Sequence, residues 1–75
     1  MPHDTRHPVY EDVLTQARRH VAEGEERVAR LSDTIRHAEA NGGDTVQAKH
    51  ALQTVEDTLK LMREHLAFEE RKAKP

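Results

Sequence analysis

The chemistry that this 75-residue sequence could carry rests first on six histidines: His3, His7, His20, His37, His50 and His65. Two imidazoles and a carboxylate can hold zinc or another divalent ion, and the set that comes nearest is His20, His65 and Glu69, with Glu23 beside His20. A bundle metal site repeats its ligands at i, i+3 or i+4 on facing helices, and here that repeat is only partial. No metal and no cofactor is therefore expected; instead, His20 and His65 would line an interface and titrate near neutral pH. A histidine on a two-helix dimer could also serve phosphotransfer, but no arginine-proline step follows His65 in REHLAFEE. His3, His7, His37 and His50 are expected in solvent, and so is Glu69, near the end of its helix. Ser32 has no base at suggestive spacing, and no Lys-Ser or Lys-Thr follows Gly42 and Gly43 as a phosphate loop would require. An enzyme is not expected.

Composition narrows the partners. The formal charge is -2, charged residues make up 35%, and the aromatics are Tyr10 and Phe68. A nucleic-acid binder would show a net basic face and often aromatics to stack on bases. Here Arg18, Arg19, Arg27, Arg30 and Arg36 alternate with Glu23, Glu25, Glu26, Asp33 and Glu39, giving a mixed, solvated face and no nucleic-acid partner. No apolar run approaches a membrane span, and Met1 to Thr15 lacks the apolar core of a secretory signal, so no membrane partner is expected. The absence of cysteine excludes disulfides and is compatible with a reducing, cytoplasmic setting. A chain this short buries little of its surface, which leaves oligomerisation as the route to extra stability.

The elements that would position any of these groups follow from apolar spacing. Tyr10, Leu14, Ala17, Val21, Gly24, Val28, Leu31, Ile35 and Ala38 are separated by alternating steps of three and four, and so are Thr45, Ala48, Leu52, Val55, Leu59, Met62, Leu66 and Glu69. In heptad notation abcdefg these are a and d positions, with Leu14 and Thr45 at a. The pattern predicts helix 1 over 8–40, a turn at 41–44 and helix 2 over 45–71, with 1–7 a disordered tail and 72–75 a frayed end. Within EANGGDTV (39–46), Gly42 suits the left-handed residue that ends a helix, Gly43 frees the chain to reverse, and Asp44 could cap helix 2 with Gln47 reaching back. Pro8 suits the first helical turn, with Glu11 and Asp12 favourable to its dipole.

A short corner makes the helices antiparallel. Closing the hairpin pairs Ile35 with Leu52, Leu31 with Val55, Val28 with Leu59, Gly24 with Met62 and Val21 with Leu66. Gly24 would make room for Met62. The same register sets Glu39 against Lys49, Glu25 against Arg63 and Arg18 against Glu70 at position e, all of opposite sign. The g flank differs: it carries Val13, His20, Arg27 and Thr34 on helix 1 and Ala51, Thr58 and His65 on helix 2. Beside it, Val9, Leu61 and Phe68 cluster with Tyr10, Val13 and Met62 at the open end. An exposed apolar patch usually marks a partner surface, and a second copy of the chain is the simplest partner. The expected fold is all-α: an antiparallel, coiled-coil-like two-helix hairpin dimerising into a four-helix bundle. The expected interface holds Val9, Tyr10, Val13, Ala51, Thr58, Leu61, Met62, His65 and Phe68.

The stretches HVAEGEERVARL (20–31), NGGDTVQA (41–48) and LKLMREHL (59–66) resemble short uncharacterised helical proteins of alphaproteobacteria, with their H-V-A-E-G-E core, central G-x-D-T and closing R-E-H. The resemblance spans most of residues 10 to 66. It implies a bacterial cytoplasmic helical hairpin and carries no activity or site residue. The functional expectation is a small non-enzymatic interaction or regulatory module, acting as a homodimer and open to a further protein partner. The alternative is a histidine-based metal-binding or phosphotransfer bundle using His20 and His65.

Overall fold

Two helices fill a computed structural model that describes residues 12–74: α1, Val13–Ala40, and α2, Val46–Ala73, each of 28 residues. At 1.5 Å per residue each rod is about 42 Å long. They pack against one another, and their direction is fixed by two ion pairs. Lys49 Nζ lies 2.6 Å from Glu39 Oε2 near the corner, and Arg63 donates to Glu25 Oε2 at 3.1 Å further out, so one helix ascends as the other descends. The expected antiparallel hairpin is present. Two of the three expected e-position pairs form, while Arg18 and Glu70 share the walls of a shallow groove at the open end with Leu14, Ala73 and Lys74.

The seam lies where the heptads put it. Ala17, Val21, Ile35 and Leu59 are the buried apolar residues, joined by Gly24 and by Thr45 at its corner end. Leu14, Val28, Leu31, Leu52, Val55, Met62 and Leu66 are only half-buried, and among the described residues no large side chain is fully enclosed. The helices approach closely at Gly24. A Cβ built there would sit 3.0 Å from Leu59 Cδ1 and 3.5 Å from Met62 Cε. The glycine therefore accommodates Leu59 first and the expected Met62 second.

The corner follows local backbone chemistry. Gly42 adopts φ 75°, its N–H donates to Glu39 O at 3.1 Å, and the Gly43 N–H donates to Ala38 O at 2.8 Å, closing the paired turn that ends many helices. Gly43 also sits close to the end of α1: a Cβ there would meet Ala38 O at 3.2 Å, a tight contact that would have to ease by a few tenths of an ångström. The cap of α2 falls on Thr45, one residue later than expected. Asp44 Oδ1 still accepts from the Val46 N–H at 3.0 Å. That shift places Gln47 second in the helix instead of third, out of position for the reciprocal bond.

Both outer ends differ from the expected boundaries. α1 starts at Val13 because Asp12 is extended and its Oδ1 accepts from the Thr15 N–H at 2.7 Å; Asp12 is the cap of this helix and not part of its first turn. The expected start at Pro8, the tail 1–7, and Val9 and Tyr10 lie outside the described residues. α2 continues through Ala73, past the expected 71. Lys72 is held there by Glu69 at 3.7 Å and by the Phe68 ring, whose centroid lies 5.2 Å from Nζ. Arg71 and Lys72 also suit the negative end of the helix dipole.

Gly24 yields a graded prediction. Gly24→Ala gains about 1 kcal/mol of helix propensity, offset by a small shift of the Leu59 terminal methyl, so thermal denaturation should find it within about 1 kcal/mol of the parent. Gly24→Val drives branched methyls into Leu59 and Met62 and should cost roughly 1–3 kcal/mol. A Val variant as stable as the parent would show that the helices do not approach closely there.

Asp12 supplies a pH dependence. The backbone N–H of Thr15, followed by its hydroxyl, stabilises the carboxylate and lowers its pKa. A lowered native pKa contributes stability that is present above the unfolded value and lost as pH falls through the native one. Asp12→Ala should therefore melt below the parent at pH 7, and that gap should shrink as the pH drops below about 4. A gap independent of pH would mean that the carboxylate does not cap α1.

Candidate functional site

Of the candidate ligands His20, His65 and Glu69, the last two come together. Among the described residues, no three His, Asp or Glu side chains come together in a way that could hold a metal ion. His20 is exposed on α1. His65 instead engages its own helix, with Nε2 3.3 Å from Glu69 Oε2. His37 and His50, expected in solvent, are exposed.

Glu69 departs from expectation. Its side chain is only 13% exposed, held between His65 at 3.3 Å and Lys72 at 3.7 Å. The reason is the longer α2: with four more residues of helix beyond it, Glu69 lies inside the rod and not at a fraying end. Its d position then directs the stem into the seam at the level of Ala17, which is 2% exposed. The carboxylate is thus shared by the His65 imidazole and the Lys72 ammonium, both on side chains that are more than half exposed.

The feature with the greatest exposed apolar content is one flank of α2. Leu61 is 65% exposed, Phe68 49% and Val13, at the facing start of α1, 50%. Ala51, Thr58 and His65 are exposed beside them, and Met62 is half-buried against Gly24. Sequence reasoning identified this cluster from the c and g positions near the open end. It also followed the g positions Ala51, Thr58 and His65 along the helix, but it did not register that Gln47 and Thr54 at c are uncharged as well. From Gln47 to Phe68, the c positions are Gln47, Thr54, Leu61 and Phe68, and the g positions are Ala51, Thr58 and His65. None is Asp, Glu, Lys or Arg. Between the same limits the charged residues of α2, such as Lys49, Asp57, Lys60 and Glu64, all fall at b, e or f. The signal was available in the sequence as an exclusion of charge, a pattern that a search for apolar residues alone overlooks. Val46, 58% exposed at b, is a further apolar side chain that the reading did not single out, and it stands apart from this flank.

The α1 side of the same flank is charged. Glu23 and Arg30 occupy its c positions, with Arg19 4.0 Å from Glu23 and Glu26 3.7 Å from Arg30 along the helix. Arg27 stands at g, and no helix is long and apolar enough to cross a membrane among the described residues. Comparison of the chain with protein-family models, curated proteins and solved structures finds no match to any of them. The resemblance carried by residues 20–31, 41–48 and 59–66 therefore stands on those residues alone.

The burial of Glu69 is testable by replacing it with an apolar side chain of similar reach. Exposed partners make its ion pairs worth at most about 1 kcal/mol, whereas a leucine covered to the same extent gains roughly 1.5–3 kcal/mol. Glu69→Leu should raise the melting temperature by several degrees, about 4–8 °C per kcal/mol gained for a domain of this size. A lower melting temperature would show that the carboxylate holds the open end together.

Proposed function

We propose that this chain is a small non-enzymatic interaction module, bacterial and cytoplasmic, that works as a homodimer with its two hairpins packed into a four-helix bundle. The observation that carries the reading is the exposed flank of α2, where Leu61 and Phe68 lie beside a run of uncharged positions on a hairpin whose buried large apolar side chains, among the described residues, are Val21, Ile35 and Leu59. Apolar groups left in water at that density are stabilised by a partner surface, and a symmetric dimer covers the flank with a copy of itself. The dimer would then present the charged f face to any further protein. Bacterial origin and a cytoplasmic setting follow from the resemblance and from the lack of cysteine. The alternative is a metal-binding or phosphotransfer bundle using His20 and His65; among the described residues His65 lies 3.3 Å from Glu69 and no third metal ligand joins the two.

Sedimentation velocity at micromolar concentration tests the reading. The parent should sediment at twice the chain mass, and Leu61→Asp combined with Phe68→Asp should shift it to the monomer with a loss of helicity. A parent that is monomeric and fully folded would overturn the proposal.

A further inference from the structure

The two halves of the exposed flank differ in chemistry, and that difference constrains how a second copy can dock. On α2 the uncharged positions run from small or slender at the corner end, with Ala51 and Thr54, to large at the open end, with Leu61, His65 and Phe68. On α1 the same flank bears Glu23 and Arg30, on either side of Arg27. The Glu25–Arg63 and Glu39–Lys49 ion pairs on one side and the Gly24–Leu59 contact on the other bracket a register that brings Arg27 and Thr58 to about the same level near the middle of the hairpin.

Two symmetric face-to-face arrangements are available. If the dyad runs along the helices, the corners lie at the same end and each α1 faces the partner's α2. Leu61 would then meet a Glu23 carboxylate, and Arg30 would meet Thr54. If the dyad crosses the helices, the corners lie at opposite ends, α2 packs on α2 and α1 on α1. With that dyad at the layer of Thr58 and Arg27, Leu61 meets Thr54, His65 meets Ala51 and Phe68 meets Gln47, so large side chains fall against small or slender ones. The same single axis sets Glu23 against Arg30 twice, once on each side. A mismatched charge against an apolar side chain is costly, whereas complementary charges select the partner.

We infer that a second copy docks with the dyad across the helices at Thr58 and Arg27, α2 against α2, with the two corners at opposite ends of the bundle. This rests on the homodimer proposed above. Its one like-charge meeting is Arg27 with its own copy, where long side chains can splay toward the Glu23 carboxylates on either side.

Spin labels decide the arrangement, and the absence of native cysteine makes single-site labelling clean. Val46→Cys is suitable because Val46 is exposed and on the b face, away from the flank. Val46 lies twelve residues before Thr58, so corners at opposite ends separate the two labels by about 36 Å along the bundle and about 40 Å overall, whereas corners at the same end leave them under about 30 Å apart. A double electron–electron resonance distance near 40 Å is expected. A distance under 30 Å would overturn this docking while leaving the dimer intact, and a monomer by sedimentation would overturn both. A charge cycle checks the second half of the inference independently. Glu23→Arg should weaken the dimer by roughly tenfold or more, and adding Arg30→Glu should restore it. A double variant as weak as the single one would also overturn the docking.

Discussion

Two helices can offer each other only one stripe apiece, so they enclose a line of side chains and not a volume. This geometric constraint governs the molecule. Along that line Ala17, Val21, Ile35 and Leu59 are withdrawn from water, while Val28, Leu31, Val55 and Leu66, equally apolar, remain half-covered. Burial of apolar surface is worth roughly 25 cal/mol per Å², so each half-covered residue leaves part of its possible contribution unrealised. Closeness matters correspondingly more. Gly24 brings α1 near enough to α2 for Leu59 to become the one buried residue of its helix, which makes a residue with poor helix propensity useful at that point.

The register of the line is set by agreement among weak terms. The corner fixes where the chain reverses, because Gly42 takes a conformation that other residues rarely adopt and Gly43 lies too near Ala38 O to carry a side chain without displacement. The ion pairs Glu39–Lys49 and Glu25–Arg63 are more than half-exposed or close to it, and each is worth only about 0.2–1 kcal/mol. A slip of one heptad along the seam would still pair apolar residues, but it would separate these charges and strand Gly24 away from Leu59. Discrimination between registers thus comes from the charges and the glycine, while most of the favourable energy comes from the apolar contacts.

What could be read from the sequence follows the same division. A seven-residue repeat reports which face is buried, so the seam, the e-flank pairs and the g-flank exposure were all legible. The glycine pair gave the corner. Helix ends were less legible because several residues compete to cap them: Asp12 and Pro8 could both begin α1, and Asp44 and Thr45 could both begin α2. The side-chain bond to the Thr15 N–H establishes Asp12 as the cap of the described helix. Glu69 was misread for a related reason. Its exposure depends on how far α2 extends, and a heptad repeat reports which face is buried without fixing where the helix ends.

Charge distribution carries the argument beyond the single hairpin. Forming the seam requires apolar a and d positions, and choosing the register requires charges at e. Neither requirement says anything about c and g on α2. A solitary hairpin would be more soluble with charges there, as α1 has at Glu23, Arg27 and Arg30. Keeping Gln47, Ala51, Thr54, Thr58, Leu61, His65 and Phe68 free of charge while placing Lys49, Asp57, Lys60 and Glu64 elsewhere around the same helix is therefore not explained by the folding of one chain. A stripe about 32 Å long at helical rise leaves Leu61 largely in water and Phe68 half exposed, with Lys72 over one face of its ring. Neither the seam nor the register of a single hairpin asks for that composition.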